Sequence, residues 1–408
     1  MNSDKFPLTK KLRRVVADPS VRRAFFVFNL TRVLLLAILI VGGQMNRVTS
    51  GNADTIRDLS LSLGKIPISR VLQNTIATAD VNWYYGIAHD GYEKIPFNAD
   101  RPHNWAFFPL FPLLWRLVAH LTGEYLISGM LTSHILFFLG LIFVHKAALA
   151  FGFKKVLADR GLFYLAIFPT SYFYSLPVTE SLFLFLTACS LYNAKQGRWW
   201  TAGLAGGLAS ATRVTGVFLF PALAVLYWET YGGDLRSKEV WRSALSRKEF
   251  LSLFLVPVGI GSFMFYLYTI TGNAIAFKDI LVIWGRGTGF FVVTLFGYLR
   301  NPWLIAVPWD FRIINFTGAA LALICGGCLL KRRQWALGVY TLLCVIAALS
   351  SLVLQSQARY AMVLFPIYLV LAKAGERPYV DETIRTISIA LLTLMTALFV
   401  AHFSIAMS

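Results

Sequence analysis

Between Ala79 and Pro112 the chain reads ADVNWYYGIAHDGYEKIPFNADRPHNWAFFPLFP. Asp80, His89, Asp90, His103 and Asn104 stand here among Trp83, Tyr84, Trp105 and Phe107. Rings interleaved with carboxylates suit a carbohydrate or lipid-phosphate site at a bilayer surface. The rings stack on sugar faces and sit at headgroup depth, while a carboxylate handles protons. The stretch reads as an active-site loop.

A second set of polar groups lies within or beside apolar runs. It comprises Glu180 in PVTESLF, Arg213 in ATRVTG, Trp284 and Arg286 in IWGRG, and Arg359 with Tyr360 in QARY. Ionisable groups at membrane depth are costly and mark function by default. Each also has an ordinary reading. Glu180 stands in the first turn of an expected helix, where the backbone dipole favours a carboxylate. Arg213 ends a short helix, yet no acid near it in sequence can pair with it. Arg286 follows an aromatic surface stretch, and Arg359 can snorkel to a headgroup. Asp80 suits a helix N-cap, and His103 with Asn104 a cap on the segment that follows. His89 and Asp90 suit a turn before Gly91.

A membrane-embedded scaffold has to position these groups. The 408 residues are 57% apolar and 14% charged, with mean hydropathy +0.62, whereas soluble domains carry about a quarter charged residues. Repeated apolar runs of bilayer length predict an all-α polytopic membrane protein. The net charge of +18 does not point to nucleic acid, because the basic residues form short clusters between apolar runs rather than one patch. Cys189, Cys325, Cys328 and Cys344 lie inside apolar runs. The C-x-x-C at 325–328 has no His or second pair nearby and reads as helix packing.

The basic segment 1–23 places the N-terminus in the cytoplasm. Span one, near 24–43, is too long for a signal h-region, lacks an A-x-A site and reads as a retained helix. It delivers 44–105 to the outer side as the catalytic loop, where LGKIPISRVLQNTIATA and DVNWYYGIAHDGY are expected as helices along the interface. The segment 106–121, broken by Pro109 and Pro112 and carrying Arg116 and His120, reads as re-entrant or in-plane. Only then do the short basic loops beyond it obey one rule. Spans near 126–151, 161–176, 179–194, 199–212, 214–228, 250–270, 313–330, 335–353, 359–373 and 384–406 follow. They make about eleven crossings, uncertain by about two where 199–212 and 214–228 are short or form one helix. The expectation is one integral membrane domain over 1–408, with 106–408 as the transmembrane bundle. This topology brings Asp80, Asp90, His103, Asn104, Glu180, Arg213, Trp284, Arg286, Arg359 and Tyr360 to the outer face.

These motifs resemble a known family. D-x-x-W-Y-x-x-I-A-x-x-G-Y from Asp80, followed by H-N-W-A-F-F-P-L-F-P-L, is similar to the PIG-V-like mannosyltransferases, polytopic enzymes of the GT-C class. The likeness continues through F-P-T-S-Y-F-Y-S-L-P-V-T-E-S-L-F, A-T-R-V-T-G and A-R-Y-A-M-V-L-F-P in matching order. The eukaryotic member adds the second mannose of the glycosylphosphatidylinositol anchor, and prokaryotic relatives exist. The family's acidic residue in the first outer loop falls on Asp80. Trp usually precedes that Asp, whereas this chain has Ala79, which bears on sugar or acceptor preference more than on the chemistry.

The resemblance implies a polyprenyl-phosphate-linked mannose donor, a glycolipid or glycan acceptor and no metal or other cofactor, in keeping with a sequence that has no D-x-D motif. Transfer of the hexose with inversion needs a base, for which Asp80 is the candidate. The leaving phosphate needs donors and positive charge, for which Arg213, Arg286 and Arg359 are candidates with His103 and Asn104. Trp83, Tyr84, Trp105 and Phe107 would line the entry for sugar and prenyl chain, and Glu180 would orient the acceptor. The expected location is the cell (inner) membrane, with the active site on the outer face. A transporter or flippase of a lipid-linked sugar is the competing class. It would use the same rings and arginines without a base, and inverted repeats would favour it.

Overall fold

A backbone in hydrocarbon has to satisfy its own hydrogen bonds, so long apolar runs fold as helices. The structure is a computed structural model that describes residues 16–49, 68–78, 80–233, 237–301, 312–353, 355–403 and 406. Most of the basic segment 1–23, part of the loop 44–105 and Ala79 lie outside the described residues. The chain opens with α1 (Pro19–Thr49), α2 (Ile68–Ile76), α3 (Asp80–His89), α4 (Leu110–Thr122) and α5 (Tyr125–Ala150). It continues with α6 (Lys155–Ala166), α7 (Glu180–Lys195), α8 (Trp199–Ser210), α9 (Leu219–Tyr231), α10 (Lys238–Leu245), α11 (Leu255–Thr271) and α12 (Phe291–Arg300). Then come α13 (Arg312–Lys331), α14 (Trp335–Leu349), α15 (Gln357–Met362), α16 (Pro366–Ala374) and α17 (Pro378–Val400). Among the described residues there is no strand, and six helices are long and apolar enough to cross a membrane. They are Pro19–Met45, Tyr125–Ala150, Val214–Tyr231, Lys248–Thr271, Arg312–Lys331 and Pro378–Val400.

The other apolar segments are shorter pieces. The run expected as a span at 161–176 is helical only to Ala166, then breaks and makes a 3-10 turn over Ser171–Ser175. Pro169 and Pro177 lie within this apolar stretch, FPTSYFYSLPV, and neither can continue a helix through it. Arg32, midway along α1 and 1% exposed, holds the break in place. Its Nη1 donates to the Ser171 carbonyl (2.8 Å) and its Nη2 to the Ala166 carbonyl (2.7 Å). Its guanidinium lies 4.8 Å from the centre of the Phe137 ring. Among the described residues no carboxylate pairs with it.

The segments 199–212 and 214–228 are a helical hairpin, since Trp199 Nε1 donates to the Tyr231 hydroxyl (3.0 Å) and so joins the far ends of α8 and α9. Helix α8 packs backbone to backbone on α11. A Cβ on Gly259 would stand 1.8 Å from the Gly207 carbonyl oxygen, and one on Gly203 would stand 2.0 Å from the Ser252 carbonyl oxygen. Only glycine permits that approach. Ser210 Oγ ties the seam by donating to the Val256 carbonyl (2.6 Å) and accepting from Ile260 N (3.1 Å).

Contacts sort the loops into two ends. At one end Lys146 pairs with Asp18 (2.7 Å) and Arg23 lies 3.6 Å from Asp159. Lys195 stands over Phe151 (5.2 Å), Gln334 donates to the Phe151 carbonyl (3.4 Å), and Arg160 donates to the Ala372 carbonyl (3.2 Å). The basic loops after α5, α7, α13 and α16 therefore share the end where α1 begins. Burial would raise the Asp159 carboxyl, but hydrogen bonds from Lys155 and His145 and the nearby Arg23 outweigh it and hold the group below its ordinary value.

Candidate active site

Helix α3 begins at Asp80, at the end of the bundle opposite those basic loops. Its far end is fastened by Arg116 of α4, whose guanidinium donates to the Ala88 (2.5 Å) and Ile87 (3.0 Å) carbonyls left open at the helix C-terminus. Glu180 stands in the first turn of α7, directly after the 166–179 break. Ser181 Oγ donates to the Tyr174 carbonyl (2.9 Å) and the Tyr174 hydroxyl to the Met362 carbonyl (2.9 Å), so the break is bonded to α15. Arg213 follows α8 in extended conformation, at the tip of the glycine-seamed hairpin. Arg359 is carried by α15, which Ser356 enters through a left-handed backbone (φ +66°).

These four side chains form one ion-paired chain. Glu180 is 0% exposed, and its Oε1 accepts from Arg213 Nη1 (2.6 Å) and from Arg359 Nε (2.6 Å). Arg359, 4% exposed, also donates from Nη1 to Asp80 Oδ2 (2.5 Å). The Asp80 side chain is 37% exposed, and among the described residues its Oδ1 takes no hydrogen bond. Glu180 Oε2 is buried without a hydrogen-bond partner among the described residues. The Arg359 guanidinium lies 4.1 Å from the centre of the Phe173 ring, and Arg213 lies 5.1 Å from that of Tyr360. Arg286 makes no carboxylate pair among the described residues; its Nη1 donates to the Tyr360 hydroxyl (3.0 Å).

A cavity of about 320 Å³ opens between these groups. Asp80, Arg213, Arg286, Arg359 and Tyr360 give it a polar wall. Trp83, Tyr84, Phe107 and Trp284 give it an aromatic one. Trp83 stacks on Phe107 with centroids 5.5 Å apart, and Trp284 meets Trp83 edge-on at 6.1 Å. Val345, Ala347, Ala348 and Leu364 extend the lining as an apolar surface. The described residues contain no group of three or more His, Cys, Asp or Glu able to hold a metal.

Other residues singled out in the sequence are placed elsewhere. His103 is 0% exposed, with Nδ1 2.6 Å from Glu93 and Nε2 2.9 Å from Asn98. It stacks on Trp105 at 4.1 Å, while Trp105 Nε1 donates to the Glu93 carbonyl (2.9 Å). Asn104 donates to the Gly91 carbonyl (3.0 Å) and accepts from Glu93 N (3.2 Å). The three build the loop that carries Phe107 to the cavity, and their polar atoms are already satisfied. His89 and Asp90 pair with each other on the surface (2.6 Å). Glu180 sits behind the polar wall rather than in it. Arg32, Glu93 and Arg116 support the site from behind; a single Arg inside the first apolar run is the sequence signal for Arg32.

A family model described as mannosyltransferase (PIG-V) matches residues 21–297, well over half of the chain. The chain belongs to the mannosyltransferase (PIG-V) family. The matched region carries Asp80, Glu180, Arg213 and Arg286, while Arg359 and Tyr360 lie beyond it. Among curated members, the chain is 26% identical over 225 residues to GPI alpha-1,6-mannosyltransferase 2 of Rattus norvegicus, covering 50% of this chain and 44% of that one. It is 26% identical over 204 residues to the Homo sapiens protein of the same name, covering 45% and 41%. The matches thus span less than half the length of these PIG-V relatives. Among solved structures, it is similar to the Archaeoglobus fulgidus oligosaccharyltransferase in the apo form, with TM-score 0.44 and 13% identity over 94% of this chain and 55% of that one. It is also similar to the archaeal oligosaccharyltransferase AglB from Archaeoglobus fulgidus in complex with an inhibitory peptide and a dolichol-phosphate, with TM-score 0.39 and 13% identity over 81% and 51%.

Proposed function

We propose that the protein is an integral membrane glycosyltransferase that moves mannose, or another hexose, from a polyprenyl-phosphate donor to a hydroxyl of a lipid or glycan acceptor with inversion. The observation that carries this reading is the partly exposed Asp80 carboxylate in a cavity walled by guanidiniums and aromatic rings, in a chain of the PIG-V family. The acceptor oxygen attacks the anomeric carbon and gives its proton to Asp80 Oδ1. The bond from that carbon to the phosphate oxygen breaks, and its electron pair leaves with the phosphate. A phosphodiester becoming a monoester is a good leaving group at neutral pH and needs positive charge rather than an acid.

Glu180 is a positioning residue in this scheme, since its carboxylate, behind the polar wall, fixes Arg213 and Arg359 within it. Arg359 holds Asp80 through Oδ2 and leaves Oδ1 open to take the proton. Trp83, Phe107 and Trp284 offer faces to a pyranose ring. The apolar lining receives prenyl carbons. The positive-inside bias puts the basic end in the cytoplasm, and with it the N-terminus. The cavity then faces the outer side of the cell (inner) membrane.

The test is incubation of purified protein with polyprenyl phosphate mannose and membrane lipid extract, followed by mass spectrometry for an added hexose. Transfer by the wild type and none by Asp80→Asn supports the reading. No transfer from any polyprenyl-phosphate hexose overturns it. A carrier of lipid-linked sugar needs no proton acceptor, so transport that survives Asp80→Asn would favour that class instead.

A further inference from the structure

Arg359 is held by Asp80 and Glu180, and Arg213 by Glu180. A phosphate entering the cavity displaces no carboxylate from groups that none already holds. Among the described residues of the polar wall, these are Arg286 and Tyr360, whose hydroxyl Arg286 holds. The Tyr360 oxygen accepts from Arg286 Nη1 (3.0 Å), which leaves its own O–H without an acceptor among the described residues. The ring of Tyr360 lies between two cations, with Arg213 5.1 Å and Arg286 5.9 Å from its centroid. Hydrogen bonding from a cation to the phenol oxygen polarises the O–H, and donors of that kind bind anionic oxygen more strongly than neutral ones do.

We infer that Tyr360 is a catalytic residue whose O–H, together with Arg286, holds the phosphate of the lipid-linked donor. This rests on the transfer reading above and assigns the phosphate to a pair of donors that no carboxylate occupies. During transfer the carbon–oxygen bond to the phosphate breaks, the negative charge grows on the phosphate oxygens, and Tyr360 keeps its proton while its hydrogen bond shortens. The acceptor's proton goes to Asp80, so the balance needs no acid and no further reactant. The phenol contributes most when that charge is greatest, which places its effect in turnover as well as in binding.

The experiment uses full-length protein in detergent, with polyprenyl phosphate and the uncharged polyprenol of the same length as probes. Tyr360→Phe keeps the ring against Arg213 and removes only the hydroxyl. The expected result is an unchanged unfolding temperature, an affinity for polyprenyl phosphate weaker by about tenfold, and an unaltered affinity for polyprenol. With polyprenyl phosphate mannose as donor, turnover falls by about ten- to a hundredfold. Equal losses for the phosphate and the alcohol would mean that Tyr360 acts by packing, and would overturn the inference. Wild-type affinity and turnover in Tyr360→Phe would overturn it while leaving the transfer reading intact. Failure of the wild type to bind polyprenyl phosphate in preference to polyprenol would sink both.

Discussion

Glu180 Oε1 and Arg359 Nε meet at 2.6 Å across 179 residues of chain, both inside the bundle. The same oxygen also holds Arg213 (2.6 Å). One buried carboxylate thus bridges two guanidiniums, with Asp80 supplying the second negative charge. Breaking a buried pair is far more costly than never having built it, because the partner's charge stays behind without compensation.

Glu180→Ala should therefore cost about 3–5 kcal/mol of stability, read as a lowered unfolding midpoint in detergent. Glu180→Gln keeps the shape and one acceptor, and should lose less. A variant as stable as wild type would show that the chain of ion pairs does not hold the bundle together.

Asp80 tests the chemistry apart from the fold. At 37% exposure, its exchange for Asn should cost less stability than Glu180→Ala, since Arg359 keeps Glu180, and should remove measurable transfer. Asp80→Asn protein that keeps turning over donor would take the base assignment away from this residue.

Arg286→Lys retains the charge but not the fork that meets two phosphate oxygens at once. Donor KM should rise about ten- to a hundredfold, with acceptor KM little changed. Steady-state kinetics varied in donor and acceptor separately would show this; an effect confined to acceptor KM would place Arg286 on the other substrate.

At the basic end, Asp159 supplies a pH dependence. Its folded carboxyl is held below the ordinary value, so its contribution is full above the unfolded value, near about pH 4, and fades as pH falls through the folded one. Wild-type stability should accordingly drop faster than that of Asp159→Asn as the pH is lowered from about 5 to 3. Parallel thermal-unfolding curves for the two proteins over that range would exclude Asp159 as the titrating group.

Part of this arrangement is legible in the sequence. Asp80, Arg213, Arg286 and Arg359 could be gathered at one end because short basic loops fix which way each helix runs, and the contacts between those loops put them together. What the residues do to each other was not readable. Asp80 and Arg359 are 279 positions apart, and periodicity says nothing about pairing over that distance. His103, Asn104 and Trp105 lie beside the aromatic cluster in sequence, yet Glu93 and Asn98 claim their polar atoms. Proximity along a loop does not fix which way a side chain turns. The interruption after Ala166 lies in an apolar run, and within that run only Pro169 and Pro177 mark it.

Arg32 also constrains how the chain is made. When α1 emerges into lipid, its midpoint carries a cation for which the receiving carbonyls, at Ala166 and Ser171, have not yet been synthesised. A lone Arg at the centre of an inserting helix costs about 2.5–3.5 kcal/mol. That cost stays uncompensated until the segment from Ala166 to Ser171 has been made and packed against α1.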